Sequence, residues 1–175
     1  MSKIEDILKS KIKPKEKREK IVEAVCKGKI PAKEFIKFFK KAPDKEKGSC
    51  ADAMKHISKS NPEILKPYAD ILIEHINYKA PRVKWGIQQA IGNLAKEYPE
   101  KISKAVPHLL ENTKEDKTNK TVIRWSAAYA ITEIAKNSKN KRKELLPFIK
   151  KIIKKEKNNG VKNVYIKALK EIEKK

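Results

Sequence analysis

The side chains that could do catalytic chemistry are few and lie far apart along the chain. His56, His75 and His108 fall on separate predicted helices, and no H-E-x-x-H or paired-cysteine spacing accompanies them. The sequence also lacks a P-loop, a G-x-S-x-G turn and a dinucleotide-binding fingerprint. It therefore predicts a protein that is not an enzyme, has no metal site and no cofactor, and does not favour a small-molecule substrate.

The aromatic side chains are better placed to bind a partner. On a helix that turns by about 100° per residue, Trp125 lies about 200° from the apolar Ile123, and Tyr129 lies beside Trp125 one turn later. Trp, Tyr and Arg dominate binding hot spots, so these residue types favour a partner-binding surface. The predicted aromatic patch comprises Lys84, Trp85, Arg124, Trp125 and Tyr129. The alternative is that the indoles pack between neighbouring helices.

A second candidate surface is a cluster of basic residues near the C-terminus. Several of its lysines fall on the side of a predicted helix opposite Ile149, Ile152 and Ile153. The predicted basic patch comprises Lys141, Arg142, Lys143, Lys150, Lys151, Lys154 and Lys155. Such a cluster could attract nucleic acid, an acidic protein tail or an anionic membrane surface. The alternative is an ordinary solvated helix face.

Lysine dominates a strongly basic composition. The chain of 175 residues carries 44 Lys and Arg against 22 Asp and Glu, a formal net charge of +22. The excess lies at the two ends, because residues 1–59 carry +9 and residues 119–175 carry +12, whereas residues 60–118 carry +1. A nucleic-acid channel along the full length should stay basic through its middle. The distribution therefore favours an acidic protein or peptide partner, with nucleic acid as the alternative.

The cysteines and the hydropathy pattern indicate the cellular compartment of the protein. Cys26 and Cys50 are too few for a disulfide framework, and no secretory signal precedes them. No apolar run approaches the roughly 18 residues that a membrane-spanning helix needs. We therefore expect a cytoplasmic protein without a membrane span, in which both thiols are buried packing groups.

An internal repeat positions these candidate residues. The triplet Val83-Lys84-Trp85 aligns with Ile123-Arg124-Trp125 forty residues later, and the match continues through Ala90/Ala130 and Ile91/Ile131. A separate series of prolines, Pro67, Pro107 and Pro147, recurs at the same spacing of 40 residues. Two independent patterns with one period indicate a repeat protein.

Each unit of the repeat is typical of two helices. An apolar stripe at helical spacing predicts a first helix within Lys120–Asn137, and a second amphipathic run follows a polar break. The equivalent second helices are predicted at Pro62–Asn77 and Pro99–Asn112, each beginning with proline. The prolines spaced by 40 residues should start or kink their helices.

The pattern V-R/K-x-x-A/I-x-x-A-I/L, followed by a proline in the next helix, resembles the HEAT repeat of the ARM-type fold. The resemblance implies an all-α protein, an α-solenoid in which antiparallel helix pairs stack into a right-handed superhelix and second helices line a concave face. HEAT repeats often carry an Asp four residues before the valine that pairs with the neighbouring Arg. Here Lys79, Asn119 and Lys157 occupy those positions, which predicts that this ladder is missing.

The repeat divides one predicted domain, residues 1–175, into two parts. Residues 1–43 form an N-terminal helical cap with a degenerate helix pair, and residues 44–174 form about three and a half HEAT-like repeats. The predicted repeats are 44–78, 80–115, 119–157 and 159–174.

The functional prediction is a non-enzymatic HEAT-repeat scaffold that binds an acidic protein or peptide. The first alternative is a nucleic-acid binder without sequence preference. A second is a relative of the HEAT-like DNA alkylation-repair glycosylases, which the stretch 89–100 loosely resembles. That resemblance implies a catalytic carboxylate beside the aromatic residues, and Glu133 is the nearest acid, two turns beyond Trp125.

Overall fold

The computed structural model describes residues 2–116 and 119–175, which form helices and turns with no β-strand among them. The helices are α1 (Lys3–Lys9), α2 (Pro14–Cys26), α3 (Ala32–Lys41), α4 (Asp44–Ser60), α5 (Pro62–Leu65), α6 (Ala69–Glu74), α7 (Pro81–Ala95), α8 (Val106–Glu111), α9 (Thr121–Asn137), α10 (Lys139–Lys155) and α11 (Asn159–Glu173). None of the helices in the described part of the chain is both long and apolar enough to cross a membrane.

The helices stack in two layers. In the first layer α4 packs against α7, α7 against α9 and α9 against α11, and α2 extends this layer beyond α4. The second layer consists of α3, the broken pair α5 and α6, α8, and α10, each packed against its neighbour in the first layer. This arrangement confirms the predicted all-α solenoid of stacked helix pairs.

The core lies between the layers and between successive first-layer helices. In α9 the predicted stripe, which includes Ile123, Ala127 and Ile131, is at most 1% exposed. The repeat-equivalent residues Ala90 and Ala130 are both fully buried, so the two positions share one environment. Alanine at these contacts lets the helix backbones approach closely, and the larger isoleucines fill the space between them.

The second-layer helices α5, α6 and α8 are shorter near their prolines than the sequence predicts. Pro62 begins α5 as expected, and Pro147 lies inside α10 without ending that helix. The prediction that Pro99 begins a helix is wrong, because residues 99–102 form turns and a 3₁₀ turn at Ser103–Ala105 precedes α8. Pro107 lacks the N–H that would bond to the Ser103 carbonyl and its ring crowds that oxygen, which shortens the helix.

The two thiols differ in their surroundings. Cys50 is fully buried as expected, and burial raises the pKa of its thiol to about 12. The expectation for Cys26 is wrong in degree, because this side chain is only half-buried at the end of α2. Burial nevertheless raises the pKa of the Cys26 thiol as well. Neither cysteine has the lowered pKa that marks a reactive thiol.

Candidate binding surfaces

The aromatic patch is built on the first layer, around a stacked pair. The rings of Trp125 and Tyr129 lie 5.9 Å apart between centroids and 7° from parallel, and both side chains are half-buried. The Tyr129 hydroxyl donates a hydrogen bond to Asn93 Oδ1 on α7, and Lys96 Nζ lies 5.9 Å from the tyrosine ring centroid. Burial raises the pKa of Tyr129 to about 12, which keeps the hydroxyl a donor.

Trp85 occupies the equivalent place on α7, one repeat earlier. Its side chain is half-buried, and Lys55 Nζ lies over the ring, 4.8 Å from the centroid. Lys55 also pairs with Asp52 at 3.1 Å. The indole Nε1 of Trp85 is buried and has no hydrogen-bond partner among the described residues. Part of each indole therefore packs within the protein. Lys55 lies over the Trp85 ring, and Lys96 lies over the ring of Tyr129, which stacks on Trp125.

Arg124, which the sequence predicts as part of this patch, is buried and does not belong to its accessible surface. Arg124 is 5% exposed, and its Nε lies 3.2 Å from Glu156 Oε2 while Nη1 donates to the Asn119 carbonyl at 2.9 Å. Lys84 Nζ donates to Asn119 Oδ1 at 3.1 Å, and burial lowers the pKa of Lys84. The prediction of a missing ladder is wrong in part: Lys79, Asn119 and Lys157 stand in place of the family's Asp, but Asn119 accepts from Lys84 and Glu156 accepts from Arg124, each on the preceding first-layer helix.

The predicted basic patch divides into structural and exposed groups. Arg142 Nε and Nη2 donate to the carbonyls of Ala135 and Lys136 at 2.9 and 2.7 Å, so this residue caps the C-terminal end of α9. Lys141 pairs with Glu144 at 2.7 Å. The remaining residues of the patch are exposed: Lys143, Lys150, Lys151, Lys154 and Lys155.

Two of the grooves in the described part of the chain lie along the second layer, and sequence reasoning missed both. The α8–α10 groove, of about 450 Å³, has the apolar residues Leu110, Phe148 and Ile152 on its floor and Lys151 and Lys155 on its rim. The α3–α6 groove has a similar volume of about 450 Å³. Its floor and rim comprise Ile36, Tyr68, Ile71, Lys33, Lys37, Lys40 and Lys41. One feature of the sequence could have indicated the grooves: the aromatic residues Tyr68 and Phe148 occupy equivalent positions two repeat lengths apart.

Side chains suited to catalysis are not brought together in the described part of the chain. In residues 2–116 and 119–175, no three His, Cys, Asp or Glu side chains form a group that could hold a metal ion. Glu133, the acid nearest the aromatic patch in sequence, is 6% exposed and pairs with Lys136. The Lys136 ammonium also lies 3.2 Å from Glu171. The Glu133 carboxylate is therefore neutralised by an ion pair and is not open to a substrate.

Comparison with solved structures identifies the fold. A designed armadillo repeat protein in complex with peptide (KR)4 has a TM-score of 0.67 and 16% identity, with 91% of this chain and 74% of that chain covered. An engineered protein has a TM-score of 0.70 and 18% identity, over 91% of this chain and 67% of the other. A computationally designed armadillo repeat protein for modular peptide recognition has a TM-score of 0.67 and 20% identity, over 89% and 68%. The fold is therefore an armadillo-type repeat solenoid.

Sequence comparison adds no relative to this set. No protein-family model matches the chain, and no curated protein matches it either.

Proposed function

We propose that this chain is a non-enzymatic scaffold that binds an acidic protein or peptide through its second layer. The observation that carries the proposal is the exposed lysine face of α10, formed by Lys150, Lys151, Lys154 and Lys155. Within the described part of the chain, none of these lysines forms an ion pair. An acidic ligand would relieve the repulsion between these like charges and gain their attraction.

The architecture supports binding by an extended surface. In a solenoid each repeat contacts mainly its neighbours, so both layers keep continuous outer faces along the stack. The second layer combines such a face with apolar grooves, and the first layer adds the half-buried aromatic residues Trp85, Trp125 and Tyr129. We propose the second layer as the main site and the accessible edges of these aromatic residues as a secondary contact.

The charge of the chain determines the sign of the partner. One solved structure with this fold is a designed armadillo repeat protein in complex with the basic peptide (KR)4. That complex supports a peptide as the class of ligand. The present chain has a formal net charge of +22, so complementarity requires acidic residues in its ligand.

A nucleic acid is the competing ligand because it is also a polyanion. The near-neutral segment 60–118, with a net charge of +1, argues against a continuous phosphate-binding track. Each groove floor has one aromatic ring, Tyr68 or Phe148, among isoleucine and leucine side chains, so it suits aliphatic side chains better than a run of stacked bases, which needs several aromatic rings. Both features favour the acidic peptide.

Charge reversal on α10 tests the proposal. We expect the fourfold variant of Lys150, Lys151, Lys154 and Lys155 to Glu to bind an acidic, leucine-containing peptide that is long enough to reach both grooves at least about tenfold more weakly than the unmodified chain does. The measurement is fluorescence anisotropy with the labelled peptide, its lysine counterpart and a single-stranded DNA of matched length, at several salt concentrations.

The control is a second fourfold Lys-to-Glu variant with the same change in net charge. Its sites are exposed lysines on first-layer helices: Lys20, Lys45, Lys167 and Lys170. We expect this control to keep most of the affinity, because its sites lie away from the second layer. Equal weakening in both variants, or tighter binding of the DNA than of the acidic peptide, would contradict the proposal.

A further inference from the structure

We propose that the α3–α6 and α8–α10 grooves hold one partner chain at two points, each point being a cluster of apolar and acidic residues. This inference rests on the proposed function, because it assumes an acidic peptide and specifies its pattern. The occupant is a single extended segment, with apolar side chains in the two floors and carboxylates against the two lysine rims.

The α3–α6 groove has the chemistry for the first cluster. Tyr68 and Ile71 from the α5–α6 region are half-buried, so part of each apolar surface faces the groove. The lysines on α3 are spaced at intervals that place them along one side of the helix. These exposed rim residues are Lys33, Lys37, Lys40 and Lys41. No residue in the described ranges forms an ion pair with any of them.

The α8–α10 groove repeats this combination. Phe148 and Ile152 are half-buried on its floor, and Lys151 and Lys155 on α10 are exposed at its rim. Glu156 also lines the groove, but its carboxylate is neutralised by Arg124. Lys114 and Glu115 line the opposite side of the groove with one charge of each sign, so the available charge on the α10 side is positive.

The two grooves are spaced by two steps of the stack. Tyr68 and Phe148 are two forty-residue periods apart, and they contribute the aromatic part of each floor. Neighbouring packed helices lie about 8–10 Å apart, so two steps along the second layer correspond to about 20 Å. An extended peptide covers that distance with about six residues, at roughly 3.3 Å per residue.

The position between the grooves is polar. His108 lies one period after Tyr68 and one before Phe148. It is exposed, and its Nδ1 lies 3.1 Å from Asn77 Nδ2. A side chain of this kind offers no apolar floor to the partner. The segment of the partner that crosses it should therefore be a polar connection between two anchoring clusters.

Linker length gives the sharpest test. The probes are two identical clusters of Glu, Leu and Phe, together with the single cluster. In the paired probes the apolar residues of each cluster adjoin the linker, so that Gly-Ser linkers of about two, six or twelve residues set the distance between the two apolar anchors. We expect the linker of about six residues to give at least about tenfold tighter binding than the single cluster. The shortest linker should lose this gain because it cannot span the two grooves.

Groove variants locate the two contacts. Of these two grooves, the double variant K37E/K40E alters only the α3–α6 rim, and K151E/K155E alters only the α8–α10 rim. All four lysines are exposed, so folding should be retained. We expect either variant to reduce the affinity of the linked probe to that of a single cluster. The single cluster should still bind each variant through the groove that remains.

The outcomes separate this inference from the function on which it rests. If acidic peptides bind but linker length has no effect, the two-point inference is overturned and the proposed function stands. The same follows if one groove variant abolishes all binding, because a single site then accounts for it. If none of the acidic probes binds, both are overturned. Linker-dependent binding that falls to the single-cluster level in each variant supports the inference.

Discussion

Replacement of Arg124 with Met is expected to lower the free energy of unfolding by about 3–5 kcal/mol. The variant leaves the carboxylate of Glu156, a residue only 7% exposed, buried without its cationic partner. It also removes the donor to the Asn119 carbonyl. For a chain of this length the loss corresponds to a decrease in Tm of about 10 °C, which thermal unfolding followed by circular dichroism would detect.

Two controls isolate the buried ion pair. K114M breaks the exposed pair between Lys114 and Glu111, whose side chains are 65% and 66% exposed, and should change stability by less than about 1 kcal/mol. The double variant R124M/E156L should recover much of the loss, because it removes both buried charges together. A loss below about 1 kcal/mol for R124M would contradict the burial of Arg124 and return it to the accessible surface.

Replacement of Gly86 with Ala is expected to destabilise the protein by about 3 kcal/mol. On an isolated helix the same change would be stabilising by about 1 kcal/mol, because alanine has the higher helix propensity. Here a Cβ on Gly86 would lie 2.8 Å from the carbonyl carbon of Ala51 and 2.9 Å from its oxygen. The obstacle is backbone, so α4 and α7 must move apart, which disrupts the packing of two successive repeats.

The matched control is G48A, which is also a helical glycine between packed first-layer helices. Its Cβ would meet only the Arg82 side chain, at 3.1 Å or more, and that long side chain can move. We expect G48A to be neutral or slightly stabilising in urea denaturation, whereas G86A should reduce stability. Stabilisation by G86A comparable to that of G48A would show that α4 and α7 do not pack as described.

The repeat and the composition of the core could be predicted because both are local properties of the sequence. The stripe that contains Ile123 and Ile131 follows helical spacing, and a forty-residue period forces Ala90 and Ala130 into equivalent contacts. Two helices per period and the polar breaks between them then determine a stack of helix pairs. The start of α8 was harder to predict, because Pro107 lies in the first turn of that helix, whereas the equivalent Pro147 lies inside α10 without interrupting it.

The contacts between repeats could not be predicted, because they depend on how the backbones meet. Glu156 lies one residue before the position at which the HEAT pattern places its acid, so pattern matching overlooks its pairing with Arg124. The close approach at Gly86 requires the coordinates of α4. The grooves could not be predicted because each one combines side chains from two helices. The sequence shows how many lysines each helix carries, but not which of them lie beside the apolar floor of a groove.

The most direct test of the central claim is a map of where an acidic peptide binds. We would titrate the full chain, labelled at the isoleucine methyl groups and the tryptophan indoles, with the linked acidic probe and follow the NMR shifts. The account predicts the largest shifts at Ile71 and Ile152, in the two second-layer grooves, and smaller ones at Trp85 and Trp125. Shifts confined to the indoles and the first-layer isoleucines, with Ile71 and Ile152 unmoved at saturation, would contradict it.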